Sequence, residues 1–384
     1  MNYQRNRLFT PGPTPVPEFI ARRMSEPIIH HRKNEFKQIF QSVRDGLRYV
    51  FGTKEEVIVL SSSGTGGMEA AVASLLSPGD KAITVDGGKF GARWADLCHT
   101  FGATPVLITK EWGKAVQPEE IVSELKLNPD AKAVYVTYSE TSTGVAIDLP
   151  AISKAVHENS DALLVVDCIS ALIALPLKMD EWQLDVVVSA SQKGFMVPPG
   201  LALVALSERA QAAMNKAAAP TFYLSLKKAV QSLENNATPF TPASTLIIGL
   251  NEAIQFFRAK TMEKVWHEHQ IFARAIRSGV KKLGLSILAE QPSDALTAVV
   301  VPDGWDNKQI IQKLQNDFGI IVAGGQGQIK DKIFRIGHIG YYDAQDIIGF
   351  MAALEWTLAG LGWQFESGAG LLAAHQELNA LFEV

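Results

Sequence analysis

The 384-residue chain is 47% hydrophobic and 20% charged, ample for a sizeable core and for roughly two domains. Its net charge of −4 gives no electrostatic reason to expect nucleic acid or an anionic membrane as a partner, and the basic spot His30-His31-Arg32-Lys33 is too short to change that. Only two cysteines, Cys98 and Cys168, are present and no CxxC pair, which argues against a disulfide scaffold, a cysteine-rich zinc site or an iron–sulfur cluster.

In chain order, the opening Leu8-Phe9-Thr10-Pro11-Gly12-Pro13-Thr14-Pro15-Val16-Pro17 cannot be helical, because its prolines fix an extended arm with few backbone donors. Leu8, Phe9 and Val16 favour docking of that arm on another surface. The N-terminus lacks the basic-then-apolar pattern of a signal peptide, and no run of about 18 apolar residues occurs, so a cytoplasmic location is expected. A helix is predicted over 35–51, ended by Gly52-Thr53. A strand over 56–60 then enters Ser61-Ser62-Ser63-Gly64-Thr65-Gly66-Gly67, followed by a helix over 68–76. Next come a strand (81–85), a helix (90–101), a short strand near 106–108, a helix from Pro118 and a strand (131–138). A helix after Leu149-Pro150 leads to the strand 162–166, which ends at Asp167, and strands follow at 185–188 and 201–206. Alternation of helices with near-continuously apolar strands predicts a mostly parallel sheet covered on both faces.

After about residue 240 the rhythm changes. Long helices are predicted over 245–259 and 262–283. A smaller α/β set follows, with strands at 285–288, 298–301, 320–323 and 333–337, a helix over 308–318 and a closing helix from 344 to 361. The tail 363–384 reads as partly helical, with Gly368-Ala369-Gly370 as a hinge.

Several stretches carry chemistry. Ser189-Ala190-Ser191-Gln192-Lys193-Gly194 places a lysine after an apolar strand and before an apolar run closed by Pro198-Pro199-Gly200. Burial lowers a lysine's pKa, which suits an amine nucleophile in Schiff-base chemistry; a lysine snorkelling from a strand end is the plainer alternative. The small residues of 61–67, at a strand end and helix start, suit an anion, with the Ser63 and Thr65 hydroxyls adding contacts. The stretch is neither a dinucleotide G-x-G-x-x-G nor a Walker loop, and it also fits a simple tight turn. Asp167 ends a buried strand where ligands of parallel sheets bind, so it either meets a cation such as a protonated pyridine nitrogen or caps the next turn. Phe90 is placed to stack on a flat cofactor or to fill the core, and Thr141 either donates to a ring hydroxyl or serves a turn. Arg335, within an apolar strand, needs an anion: a substrate carboxylate or an internal Asp or Glu. The nearby His338 fits a structural role better than a catalytic one. An anion nest, a carboxylate, a desolvated lysine and an arginine, in that order on an α/β sheet, are what an amino-acid enzyme using pyridoxal phosphate requires.

With these residues in view, the chain resembles the class V aminotransferases of pyridoxal-phosphate fold type I. The likeness is to the alanine–glyoxylate and serine–pyruvate aminotransferase branch, and most of all to cyanobacterial proteins labelled the small subunit of a soluble hydrogenase. It runs from Pro11 to His338, and its most specific pieces are Ser63–Gly66, Glu140-Thr141-Ser142-Thr143-Gly144, Gln192-Lys193-Gly194 and Thr238-Pro239-Phe240-Thr241-Pro242. The resemblance implies a large domain with a mostly parallel seven-stranded sheet and a smaller C-terminal α/β domain. The divisions expected are an arm over the active site (1–18), a pyridoxal-phosphate-binding domain (19–255), a small domain (256–362) and a tail (363–384). It implies that Lys193 carries the Schiff base and that Asp167 pairs with the pyridinium. Ser63, Gly64, Thr65 and Gln192 would hold the phosphate, with Phe90 and Ile169 on the two ring faces and Thr141 near the ring hydroxyl. Arg335 and Gly12 would bind substrate, and no metal is implied. Thr241 would reach the phosphate of a second subunit, making a homodimer part of the site. Phe90 stands where many relatives carry Trp, and Cys168-Ile169 where relatives often have Ala or Ser then Val.

The expected reaction moves an amino group from alanine or serine to glyoxylate or pyruvate, because one carboxylate-binding arginine stands out and no second one does. Transamination of phosphonates or phosphoserine is the alternative on the same fold, if His31 or Arg32 supplies anion binding. A desulfurase needs a reactive cysteine near the C-terminal domain, and none follows Cys168. A hydrogenase-associated structural role is the alternative from another class.

Overall fold

The computed structural model describes residues 6–382, so the first five residues of the expected arm and the last two of the expected tail lie outside the described residues. Seven strands form the central sheet in the order 57–61, 201–206, 186–190, 163–167, 133–137, 81–86, 104–109. Neighbours run parallel except strand 201–206, which is antiparallel to both of its partners. Every residue of Ala133–Thr137, Leu163–Asp167, Val186–Ala190 and Leu201–Leu206 is buried, as strands covered on both faces must be. One consequence matters for function. The carboxyl ends of strands 57–61, 81–86, 133–137, 163–167 and 186–190 share one rim of the sheet, where such folds bind ligands.

The helix expected over 68–76 spans Gly64–Leu75 and swallows the glycine run. Glycine disfavours helix by about 1 kcal/mol relative to alanine, but a side chain at these positions would collide with what packs there. A Cβ on Gly64 would lie 2.6 Å from Ile169 Cδ1, and one on Gly67 2.9 Å from Val188 Cγ1. The helix expected from Phe90 begins at Ala92, and the Phe90 and Gly91 N–H groups ahead of it donate to the Glu140 carboxylate. Short helices at Glu18–Met24, Glu208–Met214 and Leu226–Leu233 were not foreseen; Ser207 and Ser225 cap the latter two.

A second core is built on a four-stranded antiparallel sheet in the order 286–287, 296–300, 333–337, 323–324. The strand expected over 320–323 is divided: Ala323–Gly324 joins this sheet, while Ile320–Ile321 pairs with Arg7–Leu8 of the N-terminal arm. The hinge expected at 368–370 is instead a helix start. Ala369–Leu378 forms a helix whose Gly368 and Leu371 N–H groups donate to the buried Glu355 carboxylate, both at 2.8 Å. That helix packs on the helix Met262–Lys282, and its Ala374 and Leu378 complete the second core.

Candidate active site

The arm leaves the small sheet and crosses to the rim of the large one. Gly337 N–H donates to Phe9 O at 2.6 Å, and Thr14 then clasps the lysine turn, its N–H on Gln192 O (3.1 Å) and its hydroxyl on Lys193 O (2.8 Å). Between them Lys193 Nζ donates to Pro11 O at 3.0 Å. Gly12 fits only as glycine. Its φ is +144°, and a Cβ there would stand 2.5 Å from both Lys193 Cδ and Nζ. Lys193, half-buried at the end of its strand, has its pKa lowered to about 8, chiefly by desolvation and in part by the charges of Arg335 and Arg93, while Asp167 opposes the shift.

Asp167, 3% exposed, ends the neighbouring strand. Its Oδ1 accepts from Ile169 N–H at 2.8 Å, so the carboxylate does shape the following turn. That single bond leaves the charge largely uncompensated. Burial pushes the carboxyl up to about 7, with Glu140 adding to the rise. Among the described residues Asp167 makes no ion pair.

The helix Gly64–Leu75 points its N-terminus at the same rim. Ser63 is its N-cap residue yet makes no side-chain cap, leaving N–H donors of the first turn for a ligand. Ile169 packs on Gly64, which places this helix start against the Asp167 turn. Gln192 contributes a buried amide Oε1, an acceptor with no hydrogen-bond partner among the described residues. Phe90 is half-buried, and Glu140 fixes its loop by accepting from the N–H groups of Phe90 (3.1 Å), Gly91 (2.8 Å) and Ser142 (3.0 Å).

Arg335 reaches the rim from the small sheet. It is 6% exposed, with Nε on Gly324 O and Nη1 on Thr141 O, both at 2.9 Å. Burial lowers its pKa to about 10, an effect the Glu140 charge opposes. Among the described residues it pairs with no carboxylate, so the internal salt bridge considered from sequence is absent. The Thr141 hydroxyl is 2.6 Å from that of Ser170. His338 is fully buried between Thr297 Oγ1 and Asp294 O, both at 3.0 Å, a satisfied structural histidine.

The single chain does not bring Thr241 to Lys193 by any hydrogen bond; it is exposed on the loop that follows the Phe240 ring. No hydrogen bond or ion pair of His31 or Arg32 among the described residues reaches the site either. Sequence reasoning missed Glu140, Ser170 and Arg93. Arg93 follows Phe90 by three residues, the spacing that puts two side chains on one helical face. Its Nη1 donates to Thr65 Oγ1 at 3.0 Å and its Cζ lies 5.0 Å from the Phe90 ring centroid.

Comparison with known proteins identifies the family. The class V aminotransferase family model matches residues 16–337. The chain is 41% identical to a protein of Synechococcus sp. (strain PCC 6716) named soluble hydrogenase, small subunit, over 97% of this chain and 98% of that one. It is 34% identical to the L-aspartate–glyoxylate aminotransferase of Paracoccus denitrificans, over 97% and 96%. The crystal structure of ureidoglycine–glyoxylate aminotransferase from Bacillus subtilis superposes with a TM-score of 0.91 at 27% identity, covering 99% of both chains. With the rim, the lysine and the strand-end aspartate in place, the chain belongs to the class V aminotransferases.

Proposed function

We propose that this aminotransferase uses pyridoxal 5′-phosphate and moves the amino group of a small uncharged amino acid, alanine or serine, to glyoxylate or pyruvate. The observation that carries the reading is a desolvated lysine and a buried, unpaired aspartate on adjacent strand ends. The residues fit the cofactor. Asp167 lacks a cation, which a pyridinium nitrogen supplies; the uncapped helix start, with its free N–H donors, suits a phosphate. Ser63, Gly64, Thr65 and Gln192 would hold that phosphate, Phe90 and Ile169 the ring faces, Thr141 the ring hydroxyl and Lys193 the aldehyde carbon. When bound, the cofactor supplies an aldehyde for the amino group and a ring that withdraws electrons from the substrate's Cα.

The protein's own groups do the rest. Arg335 grips the substrate carboxylate and so orients the Cα–H bond. The Lys193 amine, its pKa lowered to about 8 by burial, takes that proton as general base once it is in its neutral form. The arm at Pro11–Thr14 covers the lysine and limits water. Glyoxylate as acceptor is supported by the names of two of the similar proteins, whose donors differ. The uncharged donor is supported by Arg335 being buried at the rim without a carboxylate among the described residues, held on the carbonyls of Gly324 and Thr141. Thr241, exposed beside the aromatic cluster of Phe222, Tyr223 and Phe240, would complete the site of a second copy in a homodimer.

The test is to mix the cofactor-loaded protein with single amino acids and follow bleaching of its visible band. Alanine and serine should bleach it fastest, and glyoxylate should restore it. Lys193→Ala should abolish both band and turnover; full turnover in that variant would overturn the assignment.

A further inference from the structure

We infer that Arg93 is the cation that holds the cofactor's phosphate, and thereby makes the site select phosphorylated over unphosphorylated pyridoxal. This rests on the pyridoxal-phosphate reading above and adds a residue to it. The phosphate ester carries about −1.5 to −2 charges at neutral pH. The groups so far assigned to it, Ser63, Gly64, Thr65 and Gln192, are all neutral. The helix start contributes the equivalent of roughly half a positive charge, leaving about one negative charge to be balanced beside it.

Three cationic side chains of this chain meet at the site, and two are committed elsewhere. Lys193 lies under the arm on Pro11 O and is the group that meets the aldehyde. Arg335 is fixed from the small sheet on the carbonyls of Gly324 and Thr141. Arg93 remains. Its guanidinium bonds the hydroxyl of Thr65, inside the first turn of the helix whose N-terminus is uncapped. It also lies over the Phe90 ring, so the turn before this helix supplies a stacking face and the helix's first turn a charge beside it. Among the described residues Arg93 forms no ion pair, although its side chain is partly buried. An arginine left without a carboxylate in such a place fits an anion that arrives with the ligand. With Arg93 on the phosphate, none of the three cations described at this rim is left for a second substrate carboxylate, which agrees with an uncharged donor.

The test is an equilibrium titration of cofactor-free protein with pyridoxal 5′-phosphate and, separately, with pyridoxal, read by the visible band of the lysine-bound aldehyde. In Arg93→Gln, affinity for the phosphate ester should fall about 10- to 100-fold, the range of a charge-assisted contact, while pyridoxal affinity stays within about twofold. Arg93→Lys should recover much of the loss. Retained pyridoxal binding reports an intact fold. Unchanged affinity for the ester, equal weakening of both aldehydes, or a variant whose sole defect is a raised KM for aspartate would each overturn the role of Arg93. A wild-type protein forming the band with neither aldehyde would instead sink the cofactor reading itself.

Discussion

The ammonium of Lys193 donates to the carbonyl of Pro11, 182 residues away in sequence, at 3.0 Å. The contact makes the arm part of the site: the same arm pairs with Ile320–Ile321 of the small domain and clasps the lysine turn through Thr14. In the proposed reaction, capture of an aldehyde by this amine would exchange that backbone contact for a covalent bond, with loss of water.

Gly12→Ala probes that closeness. The added methyl would overlap Lys193 Cδ and Nζ at 2.5 Å in a backbone conformation that disfavours alanine. We expect cofactor affinity to fall at least about tenfold, with circular dichroism unchanged, because Gly12 lies in neither core and the anchoring Phe9 and Val16 are untouched. A spectrophotometric titration measures it; unaltered affinity would mean that the arm moves away freely.

The pH dependence of aldehyde capture follows from Lys193. Only the neutral amine attacks, and desolvation lowers its pKa to about 8, so the capture rate should rise with pH through a midpoint near 8 rather than 10.5. Removing the opposing negative charge in Asp167→Asn should move that midpoint lower. Stopped-flow absorbance across pH 6–10 decides; a midpoint near that of a free lysine would contradict the buried setting.

Asp167 sets function against stability. Its folded-state pKa, raised from 3.8 to about 7, means the cofactor-free protein is stabilised relatively at low pH and loses that advantage as pH rises from about 4 through about 7. Above pH 7 the buried charge costs up to about 4 kcal/mol. Cofactor-free Asp167→Asn should therefore outlast wild type in urea at pH 8, match it near pH 4, and transaminate at least about 100-fold more slowly. Equal stability of the two proteins at pH 8 would show that the charge is already compensated.

Arg335→Gln should raise the KM for the amino donor about 10- to 100-fold, the scale of one lost charge-assisted pair, and leave the cofactor band in place. Steady-state kinetics beside an absorption spectrum separate the two effects. A lost band with unchanged KM would place Arg335 on the cofactor instead.

The large sheet was legible because its strands are buried on both faces, and continuous apolar runs such as Leu163–Val166 and Val186–Val188 report that burial directly. Lys193 and Asp167 were legible for the same reason, as charges at the ends of apolar strands. Gly64–Gly67 misled because helix propensity disfavours what close packing on Ile169 and Val188 requires. The tail misled because Gly368 looks like a hinge until the Glu355 carboxylate is seen holding the helix start.

The amino-acid sequence alone determined the layer order, the small domain, the lysine and its aspartate, since each is written in local patterns of apolar and charged residues. Tertiary structure alone decided which distant groups face them: Pro11 on Lys193, Glu140 on the Phe90 loop, Arg93 on Thr65 and Thr141 on Arg335. Those relations depend on where separate strands end along a shared rim, and no periodicity within a single segment encodes that distance.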